Sequence, residues 1–326
     1  MSRRSRRTPA PLPQRDGIGP VRVRLPPDGP WATVRDHLVE RLPVPAAEVD
    51  ALFAEGGVVT ADGRPVAADA PYPPGGQVWF HRRPAEEVPA PYPPVVLHRD
   101  EHLVVVDKPH FLATTPRGRH VTQTALALLR TRLRLPELSP AHRLDRLTAG
   151  LVLFTVRPTE RAAYQRLFSD RLVHKEYEAV AGYDPAVALP RTVRSRVVKE
   201  RGVIAAREVP GEPNAETRVE LLGHRGGLGR YRLLPRTGRT HQLRVHLNSL
   251  GLPILGDPVY PDVTDPAPDD FRRPMQLLSR VLEFTDPLTG EERRFTSTRK
   301  LTAWTAYDRW AHGGPEPGDG SGPWPA

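Results

Sequence analysis

The sequence predicts an α+β protein with a mixed sheet, preceded by a small separate unit. Three observations lead there. Apolar runs of strand length, such as Leu103-Val104-Val105-Val106 and Leu151–Val156, are interspersed with segments of helical spacing in irregular order. The steady alternation of a doubly wound sheet is absent. A Pro-rich stretch, Val88-Pro-Ala-Pro-Tyr-Pro-Pro, separates a mildly apolar N-terminal region from a longer C-terminal one. Finally, 326 residues suffice for one large core and a small one.

Taken in order, residues 1–20 are Arg/Pro-rich and expected to be disordered. Residues 21–83 form the small unit. It has a helix near Thr33–Leu42, an apolar cluster at Val49–Phe53, and an Ala61-Asp62-Gly63-Arg64 turn between two short strands. Residues 84–94 read as a stiff linker, and residues 95–311 as the main domain. There Leu103–Val106 is a buried strand and Val121–Leu133 has helical spacing. Leu151–Val156 is a strand, Glu160–Leu172 a helix and His174–Ala181 a strand. Arg218–Leu222 and Arg230–Leu234 pair, and a helix over Thr240–Leu250 follows, with Thr240 as its N-cap. Leu277–Phe284 and Glu292–Thr296 flank the turn Asp286-Pro-Leu-Thr-Gly290. Residues 312–326, rich in Gly and Pro, are expected to be disordered.

Composition narrows function. The net charge of +9 and a pI near 10.2 point toward polyanions. The basic residues are 43 Arg and only 4 Lys, so an individual Arg carries little information. A retained Lys carries more, because ammonium and guanidinium are not interchangeable. The absence of Cys excludes disulfides and thiolate-held zinc or iron–sulfur centres, and suits the cytoplasm. No apolar run approaches the ~18 residues of a membrane span. The N-terminus is basic but lacks the apolar core of a secretion signal.

Four segments carry chemistry. His142-Arg143-Leu144-Asp145-Arg146 sets one carboxylate between two guanidinium groups, an arrangement that favours its charged form. Thr148-Ala149-Gly150 then lets the backbone turn into an apolar strand, so Asp145 is a candidate nucleophile at a strand edge. A solvated loop ion pair explains that segment equally well by itself. Asp107-Lys108-Pro109 leaves a buried strand. On the strand through Lys175-Glu176-Tyr177-Glu178-Ala179, alternation puts Lys175, Tyr177 and Ala179 on one face and both glutamates on the other. Gly238-Arg239-Thr240-His241-Gln242-Leu243-Arg244 opens a helix that brings His241 and Arg244 to a common face. His241 and His246 lack metalloprotease spacing, so no metal is expected.

In this order these motifs resemble the RluA-like family of RNA pseudouridine synthases, over about Val95–Thr298. Pro253-Ile-Leu-Gly256-Asp257 and Phe284-Thr-Asp-Pro-Leu-Thr-Gly290-Glu291 extend the likeness. The resemblance implies a pseudouridine synthase fold with a mixed, mainly antiparallel central sheet and flanking helices. It implies a monomer that needs no cofactor and acts on RNA. The reaction breaks the bond from uracil N1 to ribose, turns the base and rejoins it through C5. Asp145 would act as nucleophile or proton acceptor, Arg244 would pair with it, and Tyr177 would stack on the uracil and assist proton removal from C5. Arg143 would brace the position left by the flipped base. His142, Lys108, Lys175, Arg239 and His241 would contact the substrate. The expected target is 23S ribosomal RNA, with transfer RNA as the alternative.

Residues 21–83 more faintly resemble the small alpha-L RNA-binding domain, in degenerate form, because Pro45-Ala-Ala-Glu-Val-Asp50 is acidic where that domain is basic. The chain departs from the family pattern at Ala149, at Leu277-Leu278-Ser279 and at His110–Thr115, which leaves the substrate open. Two other classes compete with this reading. One is a catalytically silent RNA-binding or ribosome-assembly factor, disfavoured by the intact Asp145, Tyr177 and Arg244. The other is a glycoside hydrolase, disfavoured because that chemistry needs a second carboxylate and Glu176 and Glu178 face away.

Overall fold

Two separate apolar cores divide the chain into two units after Glu86. The computed structural model describes residues 10–83, 86–118, 120–267 and 269–313. In the first unit, β1 (Val21–Arg24), α1 (Val34–Arg41), α2 (Ala46–Ala54) and β2 (Gln77–Phe80) follow in order. β1 pairs antiparallel with β2, Val23 opposite Val78. Thr33 starts α1 with a capping box: its hydroxyl accepts from the Asp36 N–H at 3.1 Å, and the Asp36 carboxylate accepts from the Thr33 N–H at 3.1 Å. The Val49–Phe53 cluster is the inner side of α2, packed with Val34 and Leu38. Gly63 takes φ +82° in the expected turn. Its flanks form isolated bridges, Val59 with Pro65 and with Trp79, rather than strands. Residues 10–20 depart from the expected disorder, since Arg15 and Ile18 exchange backbone hydrogen bonds at 2.9 and 2.8 Å. Residues 1–9 and 314–326, also expected to be disordered, lie outside the described residues.

The second unit is built on one large sheet. Its elements are β3 (Val95–Arg99), β4 (Leu103–Lys108), α3 (Ala125–Leu133), β5 (Ser139–Pro140), β6 (Ala149–Thr155), α4 (Arg161–Ser169), β7 (His174–Gly182), β8 (Arg191–Val198), β9 (Arg207–Val209), β10 (Ala215–Arg225), β11 (Leu228–Pro235), α5 (Gln242–Ser249), β12 (Leu277–Thr285), β13 (Glu292–Thr296), α6 (Thr302–Thr305) and α7 (Tyr307–Ala311). The strand order is β3-β4-β6-β12-β7-β11-β10-β8-β9, with β5 on β6 and β13 on β12. Every pairing is antiparallel except β6 with β12. β4 and β6 read as continuous apolar runs because both of their faces are covered. Val104, Val106, Val152 and Phe154 pack with residues of α3 and α5, while Leu103, Val105, Leu151 and Leu153 pack with Tyr164 and Leu167 of α4.

The parallel contact depends on Gly150, which adopts φ +107° opposite Ser279. A Cβ there would lie 2.2 Å from the Ser279 carbonyl oxygen and 2.7 Å from its nitrogen. Both obstacles are sheet backbone and cannot swing aside. Backbone strain and overpacking together put the cost of Gly150→Ala at about 2–6 kcal/mol. Urea denaturation of the variant should show that loss, and a midpoint equal to wild type would refute the close-approach argument.

The expected helix over Val121–Leu133 begins only at Ala125. Thr124 caps it, its hydroxyl accepting from the Ala127 N–H at 3.3 Å. The three preceding N–H groups instead point at Glu87, in the stretch expected to be a linker. Its carboxylate accepts from the N–H groups of Val121, Thr122 and Gln123 and from the Thr122 hydroxyl, at 2.7–3.1 Å. Charge-assisted bonds of this kind are the strong ones, so Glu87 fixes the loop before α3.

Candidate active site

Asp145 lies between β5 and β6, in a loop whose main chain is tied down on every side. The Thr148 N–H donates to the Asp145 carbonyl at 3.1 Å, closing a turn. The segment leaving β4 then supplies one donor to each neighbouring carbonyl. The Thr114 hydroxyl donates to Leu144 O at 2.8 Å, the Lys108 ammonium to Arg146 O at 3.4 Å, and the His110 ring to Leu147 O at 2.7 Å. Lys108 also donates to Pro109 O and Leu112 O, at 3.0 and 2.7 Å, so it binds its own loop to the Asp145 loop. Burial lowers the pKa of Lys108, and burial likewise holds His110 down at about 3, neutral at physiological pH. The backbone is thereby held while the Asp145 side chain stays 28% exposed on the wall of a cleft of about 610 Å³.

The charge partner of Asp145 comes from α5. Arg244 Nη1 lies 3.5 Å from Asp145 Oδ2. The other edge of this guanidinium is taken by Asp257, with Nε and Nη2 each 2.6 Å from a carboxylate oxygen. Asp257 is fully buried and Arg244 nearly so. Burial opposes the charge on Arg244, but the hydrogen bonds and charge of Asp257 outweigh it and raise its pKa. One carboxylate therefore aims the arginine, and the remaining nitrogen addresses the other. His241 adds Nε2 at 3.8 Å from Asp145 Oδ2, while its Nδ1 meets the Tyr260 hydroxyl at 3.0 Å. Burial and Arg244 push the His241 pKa down to about 4, leaving a neutral ring. Arg244 also stacks on Tyr260, 5.2 Å from the ring centroid.

Tyr177 on β7 reaches the same cleft from below, opposite Ser279 of β12 and Leu233 of β11. Burial pushes its phenol up to about 12, with Ser279 opposing the shift and Asp145 adding to it. Tyr177 is thus a protonated phenol in the resting site. Glu178 faces the opposite side of β7, as alternation predicts. It receives Arg230 and Arg280 at 2.8–3.3 Å.

Of the nine residues singled out in the sequence, seven line the cleft: Arg143, Asp145, Lys175, Tyr177, Arg239, His241 and Arg244. Arg143 and Arg239 are exposed there. Lys175 donates to Thr237 O at 3.3 Å, and burial and Arg171 lower its pKa. Two of the nine do not line the cleft. Lys108 is fully buried and bonded to three carbonyls, so it ties down the loop. His142 stacks on Phe168 at 4.2 Å between ring centroids, and its Nε2 accepts from the Leu153 N–H at 3.1 Å. Burial and Lys175 hold its pKa near 3, as an accepting nitrogen requires. His142 too is a brace. The expected start of α5 also shifts. His241, at φ +59°, precedes the helix without a side-chain cap, and the Gln242 carboxamide oxygen accepts from the Arg239 N–H at 3.0 Å.

Sequence reasoning assigned no role to Asp257, Tyr260, His110 or Thr114. For Asp257 a signal was available, since it stands within the quoted Gly256-Asp257 motif. The other three act through contacts that no spacing reveals. Arg146, without a role in the sequence, lies over the Phe111 ring at 5.7 Å.

Comparison with known proteins identifies the family. Residues 102–249 match the family model described as RNA pseudouridylate synthase. The chain is 31% identical over 216 residues to a protein of Haemophilus influenzae, "Dual-specificity RNA pseudouridine synthase RluA". That match covers 62% of this chain and 91% of the relative. It is 37% identical over 169 residues to the human pseudouridylate synthase RPUSD2, covering 52% of this chain and 31% of the human protein. The match thus spans about a third of that relative's length. Among solved structures, human RNA Pseudouridylate Synthase Domain Containing 4 superposes with a TM-score of 0.52 at 25% identity, covering 67% of this chain and 93% of that one.

Proposed function

The chain belongs to the RluA-like family of RNA pseudouridine synthases, and from that premise we propose that it converts specific uridines of structured RNA to pseudouridine, with Asp145 as the catalytic carboxylate. The observation that carries this reading is the Asp145–Arg244–Asp257 arrangement. It offers a part-exposed carboxylate on the cleft wall, with a buried guanidinium aimed at it by a second, inaccessible one. The isomerisation balances within the substrate. The N1–C1′ bond breaks, a C5–C1′ bond forms, C5 gives up a proton and N1 gains one. A carboxylate able to attack or to accept a proton is what these steps ask of the protein. Tyr177, as a neutral ring, packs against the uracil plane. Lys175, Arg239 and Arg143 supply cationic groups around the cleft mouth for phosphates, with Arg143 bracing the position that the flipped base leaves.

Large-subunit ribosomal RNA is the proposed target. The Haemophilus influenzae relative is named for dual specificity, so the test must cover transfer RNA as well. Pseudouridine should be mapped across all cellular RNA in a deletion strain, its parent, and the deletion strain carrying Asp145→Asn. Sites lost in the deletion, restored by wild type and not by Asp145→Asn, are the expected result. Pseudouridines that persist at every position in the deletion strain would reject the proposal. A growth or ribosome-assembly defect rescued equally by both proteins would instead indicate a binding factor.

A further inference from the structure

The β8–β9 hairpin ends in an eight-residue loop, Lys199–Ala206, beside the cleft. Its tip holds Val203 and Ile204 at 45% and 57% exposure. They are the only sequence-adjacent pair of exposed large apolar residues among those described, and Ile204 lines the cleft together with Lys199. Scattered exposed apolar side chains need no explanation, but an adjacent pair on the rim of a charged cleft does.

The loop is braced, not slack. The Lys199 ammonium donates to the carbonyls of Glu200 and Val203, closing the tip on itself. Arg207 pairs with Glu200 at 2.5 Å. At the base, the Ala206 N–H donates to the Tyr260 hydroxyl at 2.8 Å, and that hydroxyl lies 2.8 Å from Ala206 O. The same hydroxyl meets His241, which stands beside Asp145. A chain of direct contacts therefore ties the base of this loop to the Asp145 carboxylate. Val and Ile are also stiff at χ1, so the two side chains present a defined apolar edge. Arg201 stands exposed next to them.

We propose that this tip is an apolar wedge for the substrate RNA. Val203 and Ile204 press on the face of a base that loses its stacking neighbour when the uridine flips, and Arg201 engages the adjoining phosphate. Apolar side chains placed against unstacked base steps are an established way to hold distorted nucleic acid, and basic flanks suit its backbone. A protein partner would be served by the apolar pair alone. The cleft-side placement and the basic neighbour favour RNA. The inference rests on the RNA-modifying reading of the cleft.

The probe is total RNA labelled with 5-tritiated uridine, from a strain lacking the protein, with tritium release as the rate. Both tip residues are exposed, so Val203→Ser/Ile204→Ser should melt like wild type. Its release rate at limiting RNA should fall at least tenfold, while Val203→Leu/Ile204→Leu stays within about twofold. The loss should be the same factor at every salt concentration, because no charge is removed. Arg201→Ala should instead flatten the salt dependence by about one phosphate contact. A serine pair as active as wild type overturns the wedge and leaves a protein interface as the use of the pair. If wild type itself releases no tritium, the proposed reaction has failed, not the wedge. Retention of the same labelled RNA in a gel then decides: tenfold weaker retention by the serine pair supports the wedge, and equal retention overturns it.

Discussion

Asp145→Asn is expected to yield a folded protein that still binds RNA and forms no measurable pseudouridine. The amide matches the carboxylate in shape, and Asp145 is part-exposed, so the site is not emptied. Arg244 keeps its bidentate bonds to Asp257 and no buried charge is stranded. The stability change should stay within about 1 kcal/mol. An amide neither attacks as a carboxylate does nor takes up a proton at neutral pH. The loss of rate should therefore be on the order of 10³-fold or more. Tritium release from 5-tritiated uridine RNA under single-turnover conditions measures it, with gel retardation and a thermal melt as controls. Retention of more than a tenth of wild-type turnover would remove Asp145 from the chemistry. A variant that is inactive because it fails to fold would betray itself in the melt.

How much of this was legible beforehand depends on which force decided each feature. Leu103–Val106 and Leu151–Val156 were readable because burial on two faces leaves an uninterrupted apolar signature. The strand pair of β10 and β11 was readable as two strand-length segments, Arg218–Leu222 and Arg230–Leu234, while its register, Arg218 opposite Leu234, was not. The parallel register of β6 on β12 was not, since it joins residues far apart in sequence and turns on one backbone approach at Gly150. Helix starts slipped where a side chain intercepted the first N–H groups. Glu87 does this ahead of α3 and Gln242 ahead of α5. Within the site, seven of the nine side chains singled out from the motifs line the cleft, and Lys108 and His142 do not. Lys108 and His142 sit in charged, motif-rich stretches that read as substrate contacts. In the fold the Lys108 ammonium and His142 Nε2 bond to backbone groups. What a residue contacts depends on burial, and burial at a strand exit is a tertiary property.

The Arg244–Asp257 pair gives a large expected effect on stability, and also separates holding the site from running it. Asp257 is fully buried, and its Oδ1 accepts from the Val259 N–H at 2.8 Å besides its bond to Arg244. Asp257→Ala leaves a guanidinium desolvated with its bidentate partner gone. Removing one member of such a pair costs about 3–5 kcal/mol. For a unit of this size that corresponds to a melting temperature lower by about 10 °C. Activity should fall as well, because Arg244 is no longer aimed at Asp145. Those two losses are confounded in the single variant. The double variant Arg244→Met/Asp257→Leu resolves them, because replacing both charges with apolar groups of similar bulk removes the uncompensated ion. Its melting temperature should recover most of the way to wild type, while tritium release stays as low as in Asp257→Ala. Recovery of both together would mean that Arg244 acts only as a structural member of the core. Failure to recover stability would mean that the Asp257 bonds to the following turn, rather than the ion pair, hold this end of the cleft together.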